Sequence, residues 1–118
     1  MSDSIEKNGG SPIRILIADD HFIVRQGLRL ILDTANDIEL VGEAVNGDEA
    51  VQLTAQHHPE VVLMDLQMPV MDGLEATRRL RQWEREQGRA PMPVVALTAN
   101  AMHEERERCL AVGMNSHL

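Results

Sequence analysis

The sequence predicts an α/β fold in which one parallel sheet carries helices on both faces. Three observations carry this prediction. Short apolar runs rich in branched residues recur at 13–18, 40–44, 61–65 and 94–98. Segments with the apolar spacing of helices separate them. Strands and helices that alternate at this distance form βαβ units, which build parallel sheets with helices on both faces. The length of 118 residues leaves room for one domain.

The elements follow in order. Residues 1–12 are rich in Gly, Ser and charge and close at Pro12, so they read as a disordered leader before a domain over 13–118. The first strand, 13–18, is short, mostly apolar and rich in β-branched residues, as a buried strand should be. Asp19, Asp20 and His21 end it. Val24, Leu28, Ile31 and Leu32 then recur at i, i+4, i+7 and i+8, one face of a helix. The second strand is 40–44. Asn46-Gly47 alone would suit a hairpin turn. Glu49, three residues after Asn46, instead predicts a helix start with capping-box spacing. Ala50, Val51, Leu53 and Thr54 carry that helix to His57-His58-Pro59, where proline stops it.

The third strand is 61–65. Asp72 and Glu75 repeat the cap logic, and Leu74, Thr77, Arg78, Leu80 and Arg81 carry the third helix toward Trp83. Residues 84–93 are charged, contain Gly88, Pro91 and Pro93, and read as a loop. The fourth strand is 94–98. The fourth helix, 102–112, stops at Gly113, a natural C-terminal cap. Ser116-His117-Leu118 reads as the opening of a fifth strand.

Composition excludes several functions. Lys and Arg number 11 against 19 Asp and Glu, a net charge of −8, which opposes non-specific binding of a nucleic-acid backbone. Phe22 and Trp83 are the only aromatic residues of this type, too few for a base-stacking platform. A single cysteine, Cys109, rules out a disulfide framework and gives no reason to place the protein outside the cytoplasm. On the fourth helix it reads as a small apolar packing residue. No apolar run is long enough to span a membrane. His57-His58 reads as a solvated helix end, because neighbouring helical residues diverge. Met64, Met68, Met71 and Met102 read as core and loop packing.

In open parallel sheets the ligand site lies beyond the carboxyl ends of the strands. Here the first strand runs into Asp19-Asp20, the third ends at Asp65 and the fourth at Thr98. Three carboxylates and a hydroxyl therefore meet at one edge. Crowded carboxylates repel unless a cation is present, and hard oxygen ligands suit Mg²⁺. An aspartate beside such an ion can attack a phosphoryl group and form an aspartyl phosphate. Asp19-Asp20 would otherwise serve as helix caps, and Thr98 as an ordinary strand residue.

The run Ile17-Ala18-Asp19-Asp20-His21, the loop Met64-Asp65-Leu66-Gln67-Met68-Pro69-Val70-Met71-Asp72-Gly73 and the strand end Ala96-Leu97-Thr98-Ala99 stand in this order and at these spacings. Together they closely resemble the receiver domain of two-component response regulators. The resemblance implies a flavodoxin-like, doubly wound sheet in the order 2-1-3-4-5. It implies that Asp65 accepts a phosphoryl group from a histidine kinase or histidine phosphotransfer protein. Mg²⁺ would be bound directly by Asp20, through water by Asp19, and by Asp65 and the backbone carbonyl of Gln67. Thr98 would move to hold the new phosphoryl oxygens. The implied protein is a cytoplasmic signalling module that switches a partner or an output domain outside this chain, with no enzymatic activity beyond its own phosphotransfer and slow autodephosphorylation.

Departures from the family pattern carry their own expectations. The family's lysine-proline pair, aligned through Gly113, would fall two residues after Leu118, and His117 stands where the family usually has Tyr or Phe. A receiver incomplete at its C-terminus, with the fifth strand and fifth helix largely missing, is therefore expected. Such a chain would leave an open edge on the fourth strand and a partly bare stripe on the first helix, which a homodimer could cover. Residues 18–28 look like receivers that control a helix-turn-helix domain. Residues 98–102 and 113–115 look like receivers of hybrid kinases, so the output is not readable. Two alternatives differ in class. A phosphorylation-silent interaction module would keep the fold alone. An aspartyl-phosphate hydrolase would need a second aspartate where Gln67 stands.

Overall fold

The computed structural model describes residues 11–97 and 103–117. Strands β1 (Ile13–Ala18), β2 (Ile38–Ala44), β3 (Val61–Asp65), β4 (Val94–Leu97) and β5 (Ser116–His117) form one parallel sheet in the order β2-β1-β3-β4-β5. Helices α1 (Phe22–Asp33), α2 (Gly47–His57), α3 (Gly73–Gln87) and α4 (His103–Ala111) alternate with them. The doubly wound order implied by the family resemblance is therefore the observed one, with a fifth strand of two residues. The expected leader (residues 1–10 of it), Thr98, Met102 and Leu118 lie outside the described residues.

Position in the sheet explains the strand sequences. β1 lies between β2 and β3, and Ile15, Leu16, Ile17 and Ala18 are all buried. Its unbroken apolar run is what burial on both faces requires. Leu16, Val62, Met64, Leu80 and Val94 are fully buried and form the centre of the core. Cys109 joins that core, as its residue type predicts. β2 begins two residues before the expected start, because Ile38 and Glu39 pair with Ile13 and Arg14. Tertiary pairing recruits residues that carry no strand signal of their own.

Both predicted caps form. Asn46 accepts from the Glu49 N–H at 2.8 Å, and Asp72 accepts from the Glu75 N–H at 2.8 Å. Each satisfies a helix-terminal donor that has no partner within the helix.

The third helix corrects the reading of 84–93 as a loop. It continues through Glu84 to Gln87. Glu84 is 3% exposed; its carboxylate accepts from Arg81 Nη1 at 2.9 Å and from the Met92 N–H at 2.7 Å. A residue that looks like loop solvation is a core acceptor. The helix ends at Gly88, which adopts φ +66, a left-handed cap that glycine takes without steric cost.

α1 covers the sheet least completely. None of its residues is buried. Leu28 and Leu32 are half-buried, while Phe22, Ile23, Leu30 and Ile31 are more than half exposed. Among the described residues, no helix is long and apolar enough to cross a membrane.

Candidate functional site

The site lies at the carboxyl edge of the sheet. β1 hands the chain to Asp19, Asp20 and His21, and the adjacent β3 ends at Asp65. Asp19 does not cap α1. Its Oδ1 accepts from the His21 N–H at 2.8 Å, two residues on, and the helix cap position is taken by His21 with no side-chain cap bond. The acidic pair is thus left for the cleft. Asp19 is 5% exposed at its side chain, Asp65 16% and Asp20 32%. Burial deepens from Asp20 through Asp65 to Asp19.

One ligand atom from each of Asp19, Asp20, His21 and Asp65 lies within 4.8 Å of the others. Three carboxylates at this separation carry unresolved repulsion. Burial pushes the Asp65 carboxyl above the ordinary carboxylate range, and the charge of Asp19 and then Asp20 adds to it; the Gln67 N–H and His21 oppose the shift. Asp65 Oδ1 is 3.4 Å from that N–H, at the long limit of a hydrogen bond. His21 responds in the matching sense: its hydrogen bond to Asp19, then the charge of Asp20, raise its pKa. The donor set is oxygen-rich, anionic and partly dehydrated, so it fits a hard divalent cation.

Neighbouring elements hold this edge in place. Gly73, the first residue of α3, donates its N–H to Leu66 O at 3.0 Å. A Cβ there would collide with the carbonyl oxygen of Asp65. Only glycine lets α3 start so close to the strand end. Arg25, 13% exposed at its side chain, donates from Nη1 to Asp19 O at 2.8 Å and from Nε to Glu43 at 3.1 Å. It ties the end of β1 to β2. Val70 stands in the connecting loop at φ +69, a conformation that costs a β-branched residue free energy. A cleft of about 460 Å³ opens beside the cluster, lined by Asp20, Gln67, Met68, Pro69, Asp72 and Arg108, among others.

Asp19, Asp20 and Asp65 come together as the sequence predicts. Gln67 is exposed at the rim, two residues beyond Asp65. Thr98 follows Leu97, the register partner of Asp65, and itself lies outside the described residues. His57 and His58 stay away from the cluster: His58 ends α2 and meets the edge of Trp83 at 5.7 Å. The sequence reading gave His21, Arg25 and Gly73 no role. The available signal was position alone: His21 directly follows the acidic pair, Arg25 lies one helical turn further, and Gly73 directly follows the capping Asp72.

Fold and edge together define a phosphoacceptor-type receiver. The response regulator receiver domain family matches residues 15–118, and the chain belongs to this family. It is 38% identical over 107 residues to the response regulator protein VraR of Staphylococcus saprophyticus, covering 91% of this chain and 49% of that protein. A two-component response regulator of the LuxR family from Aurantimonas superposes with TM-score 0.81 at 31% identity, covering 91% of this chain and 73% of that one. The co-crystal structure of the Saccharomyces cerevisiae histidine phosphotransfer signaling protein Ypd1 with the receiver domain of its downstream response regulator Ssk1 contains a match with TM-score 0.84 at 32% identity, covering 92% of this chain and 78% of that one. The chain spans 37%, 33% and 32% of the length of three Bacillus subtilis transcriptional regulatory proteins that it also matches.

Proposed function

We propose that Asp65 takes a phosphoryl group from a phosphohistidine of a sensor kinase or histidine phosphotransfer protein. The carrying observation is the placement of its carboxylate: 16% exposed, at the end of β3, with donor atoms of Asp19 and Asp20 no more than 4.8 Å from its own. In the transfer, an Asp65 oxygen forms the new P–O bond as the P–N bond of the donor breaks. The leaving imidazole nitrogen keeps the electron pair and takes a proton from solvent. Asp20, Asp65 and the Gln67 backbone carbonyl would hold Mg²⁺, with Asp19 acting through water. When bound, the ion offsets charge on the attacking and transferring oxygens. The cleft beside Gln67 and Met68 admits the donor. The family membership and the Ypd1–Ssk1 likeness support a phosphohistidine protein as that donor.

Thr98 holds the phosphoryl oxygens after transfer and biases a two-state surface around α4. The protein works in the cytoplasm and, apart from handling its own phosphoryl group, is not an enzyme. The test is phosphorylation by acetyl phosphate. One phosphoryl group per chain is expected, lost on Mg²⁺ chelation and in Asp65→Asn. Labelling that persists in Asp65→Asn overturns the assignment. Thr98→Ala should keep the labelling and lose the spectral response to beryllofluoride; an unchanged response overturns the switch role.

A further inference from the structure

We infer that His21 is an inner-sphere ligand of the cation held at the acidic edge, a nitrogen donor that raises the site's affinity for borderline transition ions relative to Mg²⁺. The inference rests on the reading that the acidic edge holds a divalent cation through Asp20, Asp65 and the Gln67 carbonyl, and it adds a nitrogen donor that tunes which ion is preferred.

Geometry supplies the first argument. His21 Nδ1 lies 2.9 Å from Asp19 Oδ1, 3.2 Å from Asp20 Oδ1 and 3.9 Å from Asp65 Oδ2. The ring nitrogen therefore faces all three carboxylates at once. In an octahedral shell with bonds of about 2.1 Å, neighbouring donors are about 3.0 Å apart and opposite ones about 4.2 Å. The separations to Asp20 and Asp65 fall in that range, so one ion can touch His21, Asp20 and Asp65 with small adjustments, while the His21–Asp19 hydrogen bond gives way and Asp19 acts through water. The backbone holds the ring there. The His21 N–H is bound to Asp19, and His21 is the cap residue from which α1 departs. The Arg25 N–H in turn donates to His21 O at 3.1 Å.

Ligand chemistry supplies the second. Carboxylates and carbonyls suit Mg²⁺ and Mn²⁺, while imidazole nitrogen adds affinity for Co²⁺, Ni²⁺ and Zn²⁺. An all-oxygen site leaves Mg²⁺ competitive through abundance. A site with one imidazole shifts the ratio toward the later ions without changing the carboxylates. His21 is 64% exposed at its side chain, so the ring reaches a metal from the solvent side and can be replaced without emptying the core.

The experiment uses the full chain and the metals alone. Ni²⁺ and Mg²⁺ affinities are measured by calorimetry for the wild type, His21→Ala and Asp20→Asn. The ratio of Ni²⁺ to Mg²⁺ affinity should fall at least tenfold in His21→Ala. Electron spin-echo spectra of the Mn²⁺-loaded protein should show ¹⁴N modulation that disappears in the same variant. A ratio unchanged in His21→Ala, or a nitrogen signal that persists, overturns the role of His21 while the carboxylate site stands. If Asp20→Asn weakens neither ion, the carboxylate site itself is wrong and the inference falls with it.

Discussion

The two ends of α3 treat charge in opposite ways. At its C-terminal end, Arg81 and Glu84 form an ion pair that is 12% and 4% exposed at the side chains. Every strong direction there is answered. Arg81 also donates to Gly113 O, Met92 O and Asn115 Oδ1, and Glu84 accepts from the Met92 N–H. At the N-terminal end, Gly73 is packed on the Asp65 backbone, and three carboxylates crowd together with the His21 imidazole as the one basic side chain beside them in the ion-pair geometry of the described residues. The first arrangement is finished by the protein's own groups. The second needs something from outside. Closed charge holds the fold, and unclosed charge marks where binding energy is available.

Removing Arg81 should break this contrast most strongly. Arg81→Leu leaves Glu84 buried without its partner and frees the segment that carries Gly113 and Asn115. A loss of about 3–5 kcal/mol is expected, measured by urea unfolding; a loss under about 1 kcal/mol would show that the pair is not a structural keystone.

Gly73→Ala comes next. The new Cβ must push α3 away from the Asp65 carbonyl, so about 2 kcal/mol should be lost. Mg²⁺ affinity should fall with it, because the displaced peptide carries Asp65. Unfolding and metal titration of one sample distinguish the two effects.

The acidic end should respond with the opposite sign. Asp65→Asn removes one charge from the crowd, so the metal-free protein should gain on the order of 1 kcal/mol, the usual scale for relieving a functional site, while losing phosphorylation. The sign can be followed with pH. The folded state holds the Asp65 proton to higher pH than the unfolded chain does. Asp65 therefore contributes stability below its unfolded value of about 3.9, and that contribution is lost as pH rises through the folded value. In EDTA, the advantage of Asp65→Asn over wild type should grow as pH rises across this window. Saturating Mg²⁺ should erase it. A gap independent of both pH and Mg²⁺ would refute the account.

The smallest effect concerns the loop that leads from β3 into α3. Val70 is 83% exposed and sits at φ +69, so its side chain gains little packing for its backbone cost. Val70→Asn should stabilise by roughly 0.5–1 kcal/mol, read as a rise in melting temperature with phosphorylation retained. A fall in melting temperature would mean that the valine makes a contact worth more than the strain.

Much of this is legible in the amino-acid sequence. The apolar runs at 13–18 and 61–65 are the observed bounds of β1 and β3, and Asn46 and Asp72 cap the helices that they were read to cap. Such signals are short-range. An apolar run implies a buried strand whichever neighbours cover it, and a cap bonds to an N–H three residues away. The order of Asp19, Asp20 and Asp65 along the chain was enough to bring them to one edge, because βαβ units turn in one hand and deliver strand ends to the same side.

Other features depended on partners from distant sequence. Glu84 reads as a solvated charge until Arg81 and the Met92 N–H satisfy it, and the third helix runs on past it. Ile38 and Glu39 become strand because β1 lies beside them. His21 looks like an ordinary residue after an acidic pair until the β1–α1 turn aims its ring at carboxylates from two strands. Sequence by itself determined which segments are strands and helices and which carboxylates share an edge, since those follow from local periodicity and topology. The tertiary structure alone decided which charges are closed and which stand open, because a charge's energy depends on the groups that the fold brings within a few ångströms of it.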